Sequence, residues 1–212
     1  MVDDRELLID GPESSDRIVV LAHGAGAPMD SPFMTDFARG LVNHDLRVVR
    51  FEFEYMLRRR TTGKGGRPDP GPALEQRWQA VIDHLGEPGR LVIGGKSMGG
   101  RIASMVADRS GVAGLICLGY PFHPPGRPEK LRTAHLLELH TPALILHGTR
   151  DPFGKPEEID AYGLSPAIRV AYVEEGDHSF KPRVRSGRTL EQNLEEAVAT
   201  AARFVAELQL RA

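Results

Sequence analysis

The sequence predicts an α/β fold with a mostly parallel central sheet flanked by helices. Two observations carry that expectation. Short apolar runs rich in β-branched residues alternate along the chain with segments of helical period, the order that builds a parallel sheet wrapped by helices. The 212 residues, 41% hydrophobic and 26% charged, suit an ordinary globular domain with a sizeable core, taken as one domain over 1–212.

The elements follow in order. Leu7-Leu8-Ile9 suggests an antiparallel edge strand, and residues 17–23 a first central strand. A helix over 31–43 starts at Asp30, Ser31 and Pro32, residue types that favour a helix beginning. Next come a strand over 47–53, a helix over 72–85, a strand over 90–94 and a helix continuing through 101–107. Strands over 112–120, 143–147 and 168–173 alternate with helices over 133–139 and 156–162, and a long amphipathic helix closes the chain over 190–210. The stretch 58–72, rich in glycine, proline and basic residues, is expected to be a mobile loop. The connection 121–142 is too short for a cap domain.

Composition excludes several classes. Twenty-seven basic against twenty-nine acidic side chains give a net charge of −2, unlike the usual basic nucleic-acid binder. No window approaches the eighteen or more apolar residues of a membrane span. The opening MVDDRELLID is acidic and lacks an apolar segment, so neither a signal nor a transit peptide is expected, and cytoplasmic residence follows by default. The single cysteine, Cys117, lies in an apolar run and reads as a buried core thiol. The oligomeric state stays open.

The stretch VIGGKSMGG, residues 92–100, admits two readings. As a phosphate-binding loop it needs a glycine at position 90, and that residue is Arg90; the interval is filled by the apolar run Leu91-Val92-Ile93. As a nucleophile elbow it needs a strand, a tight turn holding a serine between small residues, and a helix. The apolar run, Gly95, Ser97, Gly99 and the helical pattern that follows meet each requirement.

In an open α/β sheet, ligands bind outside the carboxyl ends of the strands. Those ends carry His23-Gly24-Ala25-Gly26-Ala27, then Ser97, then the run from His147 to Pro152, then the run from Gly176 to Phe180. Serine, acid and histidine occur in the order Ser97, Asp151, His178, as in α/β-hydrolases. Ser97 needs a base to take its proton; His178 is the candidate base; Asp151 would fix its tautomer and stabilise the imidazolium. The amides of Met98 and Ala25 are the expected oxyanion donors. Gly24, Tyr55, Lys96, His123 and Phe153 are the expected substrate-contact residues. Asp177 is read as a turn residue, and His23 and His147 as structural. Neither a metal nor a cofactor is expected. Arg58, Arg59, Arg60, Lys64 and Arg67, with Lys96, Arg101, Arg127 and Lys130, suggest a positive rim that attracts anionic esters; solvated surface charge is the plainer reading.

With these residues placed, the chain resembles the predicted α/β-hydrolases related to dienelactone hydrolase, a group that includes a testis-expressed protein and a hydrolase-like subunit of a histone-acetyltransferase complex. The likeness lies in LAHGAGAPMDSPFM at 21–34, FEFEYM at 51–56, GGKSMGGR at 94–101, LGYPFHPPG at 118–126, LILHGTRDPFG at 144–154 and EEGDHSFK at 174–181. The family often has proline where Glu54 stands. The resemblance implies a Ser-Asp-His hydrolase fold and does not supply a substrate. From the residues themselves a serine hydrolase cleaving small acyl esters or thioesters is expected, with a small-molecule ester substrate and without nucleic-acid or membrane partners. A catalytically silent binding or complex-subunit module is the rival reading.

Overall fold

Strand β2 (Ile18–Ala22) is the origin of a seven-stranded sheet in a computed structural model describing residues 2–63 and 66–209. The remaining strands are β1 (Leu7–Asp10), β3 (Arg47–Phe51), β4 (Leu91–Lys96), β5 (Gly114–Leu118), β6 (Ala143–Gly148) and β7 (Ile168–Val173). Their spatial order is β1-β3-β2-β4-β5-β6-β7. Only β1 runs antiparallel, pairing Leu7 with Phe51 and Ile9 with Val49; every other pairing is parallel. The chain winds one way from β2 to β3 and then crosses back to β4. That reversal opens a crevice at the carboxyl ends of β2 and β4, where ligands bind in open α/β sheets.

The helices are α1 (Pro32–Val42), α2 (Glu54–Thr62), α3 (Gly71–Leu85), α4 (Met98–Ser110), α5 (Pro156–Asp160) and α6 (Leu190–Glu207). They cover both faces, and the strands sort their side chains accordingly. Val20 and Ala22 of β2 enter the core under α2, α3, α4 and α5, built around Trp78 and Phe51. Val19 and Leu21 enter the opposite core under α1 and α6, built around Phe37 and Phe204. This two-residue alternation places apolar side chains in both layers, so the strands read as apolar runs rather than as polar–apolar alternation.

Several elements are shorter than the sequence suggests. The expected helix over 133–139 is a single 3-10 turn, Ala134–Leu136, and α5 stops at Asp160. The last helix ends at Glu207; Leu210 lies outside the described residues. Between β5 and β6 that turn is the only helical piece among the described residues, so no cap domain covers the strand ends.

The expectation for 58–72 needs correction. Residues 58–62 belong to α2, which ends at Gly63 in the left-handed region. Two of its three arginines are tied to acids outside the helix: Arg58 to Asp69 at 2.5 Å, and Arg60 to Glu52 at 2.7 Å and Asp30 at 2.6 Å. Asp69 also accepts the Tyr55 N–H at 3.0 Å. A polar arginine run looks like loop in one dimension and is a helix flank in three. Glu54, at the family's proline position, begins α2 and reaches Arg77 at 3.3 Å. Lys64, counted in the expected basic rim, lies outside the described residues.

Close backbone approach sets the turn after β4. Gly95 has φ 148°, and a Cβ there would stand 2.1 Å from the Ala22 carbonyl oxygen on β2. Gly95→Ala is expected to destabilise the fold by about 3 kcal/mol or more, since backbone must move apart. Gly71→Ala, in open space at the start of α3, is the control and should be near neutral; chemical denaturation of the two variants separates them.

Candidate active site

Ser97 sits between β4 and α4 with φ 52° and ψ −111°, a conformation that a non-glycine residue holds only when its surroundings enforce it. The turn is braced from both sides. The Ser97 N–H donates to the Leu118 carbonyl at 3.0 Å, and the Trp78 indole N–H donates to the Gly99 carbonyl at 3.3 Å. The hydroxyl is thereby presented at the crevice.

The ends of β6 and β7 bring two further side chains to it. His178 Nδ1–H donates to Asp151 Oδ2 at 2.7 Å, and the Ser97 hydroxyl faces His178 Nε2 at 2.9 Å. Asp151, as the acceptor at Nδ1, assigns the tautomer that leaves Nε2 free to take a proton from Ser97. Asp151 is almost wholly buried. Burial opposes its ionisation, but the His178 hydrogen bond, the nearby imidazoles and the Phe153 N–H outweigh that and hold its carboxyl below the usual range. Phe153 N–H reaches Asp151 Oδ1 at 2.9 Å, and its ring lies 4.3 Å from the His178 ring, centre to centre. The arrangement can pass a proton from a hydroxyl to an imidazole whose charge a buried carboxylate offsets.

Opposite Ser97, the loop after β2 carries Gly24 and Ala25. A side chain at Gly24 would begin 3.8 Å from Ser97 Cβ, so the loop passes within contact distance of the serine. Ala25 is exposed. Met98 is the first residue of α4, where helix N–H groups lack intrahelical acceptors. Two aromatic residues serve this loop from behind, one of them an expected contact. Tyr55 is buried and gives its hydroxyl to the Ala25 carbonyl at 3.0 Å. His23 is buried, accepts the Phe53 N–H on Nε2 at 3.2 Å and bonds the Gly24 carbonyl through Nδ1 at 2.6 Å. Burial keeps it below the ordinary histidine range.

Three of the five expected contacts therefore need reassignment. Tyr55 supports the loop rather than lining the site. His123 is buried against Glu158 at 3.4 Å and bonds the Pro124 carbonyl at 2.9 Å, so it fastens α5 to the loop after β5. Lys96 is also buried, since its strand position turns the side chain into the layer beneath the site. Gly24 and Phe153 remain beside Ser97 and His178. Asp177 accepts the Ser179 and Lys181 N–H groups at 2.8 and 3.0 Å, a turn role. His147 bonds the Gly154 carbonyl at 2.9 Å. Cys117 is fully buried, and burial pushes its thiol up.

The loop bearing His178 is anchored by a residue that the sequence does not mark. Asn193 of α6 is fully buried, and its Nδ2 donates to the carbonyls of Phe180 at 2.7 Å and Glu174 at 3.1 Å. An asparagine inside an apolar helix face was the only hint. Among the described residues, no group of three or more His, Cys, Asp and Glu side chains is placed to hold a metal ion, and no helix is long and apolar enough to cross a membrane.

A family profile described as an alpha/beta hydrolase domain matches residues 15–206. The chain belongs to that family. This α/β-hydrolase domain is similar to solved structures at low identity. A dienelactone hydrolase from Anabaena variabilis is 21% identical, with TM-score 0.72 over 97% of this chain and 92% of that one. An alpha-beta serine hydrolase homologue from Coxiella burnetii is 22% identical, with TM-score 0.70 over 93% and 89%. A serine hydrolase described as without lid, from Xanthomonas campestris, is 21% identical, with TM-score 0.69 over 93% and 87%. These likenesses show the fold: a mostly parallel sheet with flanking helices and no separate cap.

Within the α/β-hydrolase domain, Lys96 is a physical anomaly. Its ammonium is buried with no hydrogen-bond partner among the described residues, 5.5 Å from the Phe33 ring centre. A side chain at Gly119 would begin 3.1 Å from Lys96 Nζ and 3.2 Å from His178 Nδ1; glycine at that position, with φ 67°, lets both approach. Burial pulls the Lys96 ammonium down to about 8 from 10.5, with Asp151 and Asp177 opposing. Between those two values the unfolded chain binds the proton more tightly, so stability rises with pH, and the cost is complete below about 8. Lys96→Met should therefore raise the melting temperature by several degrees at pH 7, for a cost on the order of 3 kcal/mol. The gain should shrink to nothing near pH 10.5, as thermal melts at both pH values will read.

Proposed function

We propose that the protein is a serine hydrolase that cleaves small acyl esters or thioesters through an acyl-enzyme. The observation that carries this reading is the unbroken relay from Ser97 Oγ to His178 Nε2 at 2.9 Å and from Nδ1 to Asp151 at 2.7 Å, at the strand-end crevice. In the proposed chemistry Ser97 Oγ attacks the ester carbonyl carbon while His178 takes its proton, and Asp151 stabilises the imidazolium. The carbonyl oxygen, now an oxyanion, receives the Ala25 and Met98 amides. His178 returns the proton to the departing alcohol or thiol, and water repeats the sequence to release the acid. This chemistry calls on no cofactor.

The strained serine turn supports the nucleophile-elbow assignment, since such strain collects at functional sites. The names of the solved neighbours, serine hydrolases and a dienelactone hydrolase, agree with the class. An uncapped site suits short, water-soluble acyl groups, with little wall to bury a long chain. The closer likeness to the testis-expressed and acetyltransferase-complex group belongs to this proposal too, as does a cytoplasmic setting. A binding-module role is the alternative that the following experiments decide against or for.

A fluorophosphonate probe is expected to label Ser97 alone, and Ser97→Ala to abolish labelling with the circular dichroism unchanged. Labelling that persists in this variant refutes the nucleophile assignment. Asp151→Asn should lower kcat by about 10⁴, because the histidine tautomer is then wrong, while Asp177→Asn stays within a few-fold; steady-state kinetics with the two variants interchanged in effect would move the acid to Asp177.

A further inference from the structure

Lys96 ends β4, directly before the nucleophile, and carries a charge that the proposed chemistry leaves unused. Its stem passes against the loop opposite Ser97, where a Cβ at Gly24 would begin 3.5 Å from Lys96 Cγ. Its tip comes up beside the triad at Gly119. There the space that one methyl group would fill separates Lys96 Nζ, at 3.1 Å, from His178 Nδ1, at 3.2 Å. Among the described residues, Nζ is buried without a hydrogen-bond partner.

Asp151 is buried as well, and its carboxyl is held in the ionised form. A negative charge out of water draws a positive one towards it. Two groups are within reach: the His178 imidazole, in contact at 2.7 Å, and the Lys96 ammonium, which Asp151 stabilises through space. The choice between them decides whether the site can work. An imidazole that is already protonated cannot take the Ser97 proton, whereas a charge held on Lys96 faces Asp151 and leaves Nε2 open. The remaining neighbours do not supply that charge. Burial holds His147, on β6, below the ordinary histidine range, so it is neutral near pH 7; Asp177, on the loop of His178, is itself an acid acting on Lys96; and Phe33, from α1, offers only a ring centred 5.5 Å from Nζ.

We propose that Lys96 is a positioning residue: its ammonium serves as the resting counter-charge of Asp151 and keeps His178 unprotonated, ready for the Ser97 proton. The role rests on the serine-hydrolase reading and sets the pH range over which that chemistry runs. When His178 takes the proton, ammonium and imidazolium share one carboxylate, and their repulsion is relieved as the proton passes to the leaving group. The stability lost to a buried ammonium is then the counterpart of a base that stays neutral at lower pH.

The test records kcat/KM for 4-nitrophenyl acetate against pH in wild type and Lys96→Met, with Lys96→Gln as the second neutral variant should the first fail to fold. Methionine keeps the stem against Gly24 and removes the charge. A positive charge disfavours a second one nearby, so its loss lets His178 hold a proton to higher pH. The acid limb should therefore move up by about one pH unit, leaving the variant on the order of tenfold slower at pH 6. The two proteins should converge above pH 9, past the value of about 8 at which Lys96 loses its own proton. NMR of the His178 ring nitrogens, followed over the same range without substrate, should show the same displacement. Fluorophosphonate labelling of wild-type Ser97 reads the hydrolase assignment separately: its absence refutes the nucleophile and the positioning role together, whereas superimposable histidine titrations in a protein that labels normally refute the counter-charge alone. An equal loss of rate at every pH marks a packing role for the stem and overturns the proposal, as does an acid limb that stays at its wild-type position.

Discussion

The carbonyl oxygen of Ala22, at the end of β2, is the point against which the site is packed. Side chains at Gly95 and Gly99 would begin 2.1 and 2.5 Å from it, so the end of β4 and the first turn of α4 close on a single backbone atom. The pairing of Ala22 with Gly95 then leaves the chain no route except the sharp turn at Ser97. From that turn follow the exposure of the hydroxyl, the aim of the α4 N-terminus and the nearness of Gly24. The main chain of two strands thus determines the geometry, and the reactive side chains inherit it.

Charge is distributed around this point in a way that net charge conceals. The rim expected from the arginine run is largely balanced locally, because Arg58 and Arg60 meet Asp69, Asp30 and Glu52. An imbalance lies deeper, at the buried ammonium of Lys96. Buried, uncompensated cations destabilise a fold, and proteins tend to keep such costs where function needs them.

The succession of strands and helices along the chain and the strand-turn-helix around Ser97 were legible because both rest on short-range pattern: β-branched runs, glycines flanking a serine, and an abrupt change of period. Asp151 and His178 were legible because strand-end placement is a rule of topology rather than of local chemistry. The direction of individual side chains was not. Lys96 and Tyr55 stand at strand or helix positions whose facing depends on which layer packs above them, and sequence alone does not state it. The helical state of 54–62 escaped for a related reason: its stabilising partners Asp30, Glu52 and Asp69 lie outside the segment and are recognised only once the chain has folded back.

His178 reaches the crevice on a segment whose own anchorage is thin. Between β7 and α6 there is only a 3-10 turn, and Asn193, one turn into α6, clasps the carbonyls on either side of the histidine. Fraying of the first turn of the terminal helix would release that clasp while the central strands stay intact. Under the proposed chemistry, heating would then silence the protein before it melts, with the lost activity returning on cooling because the sheet never came apart.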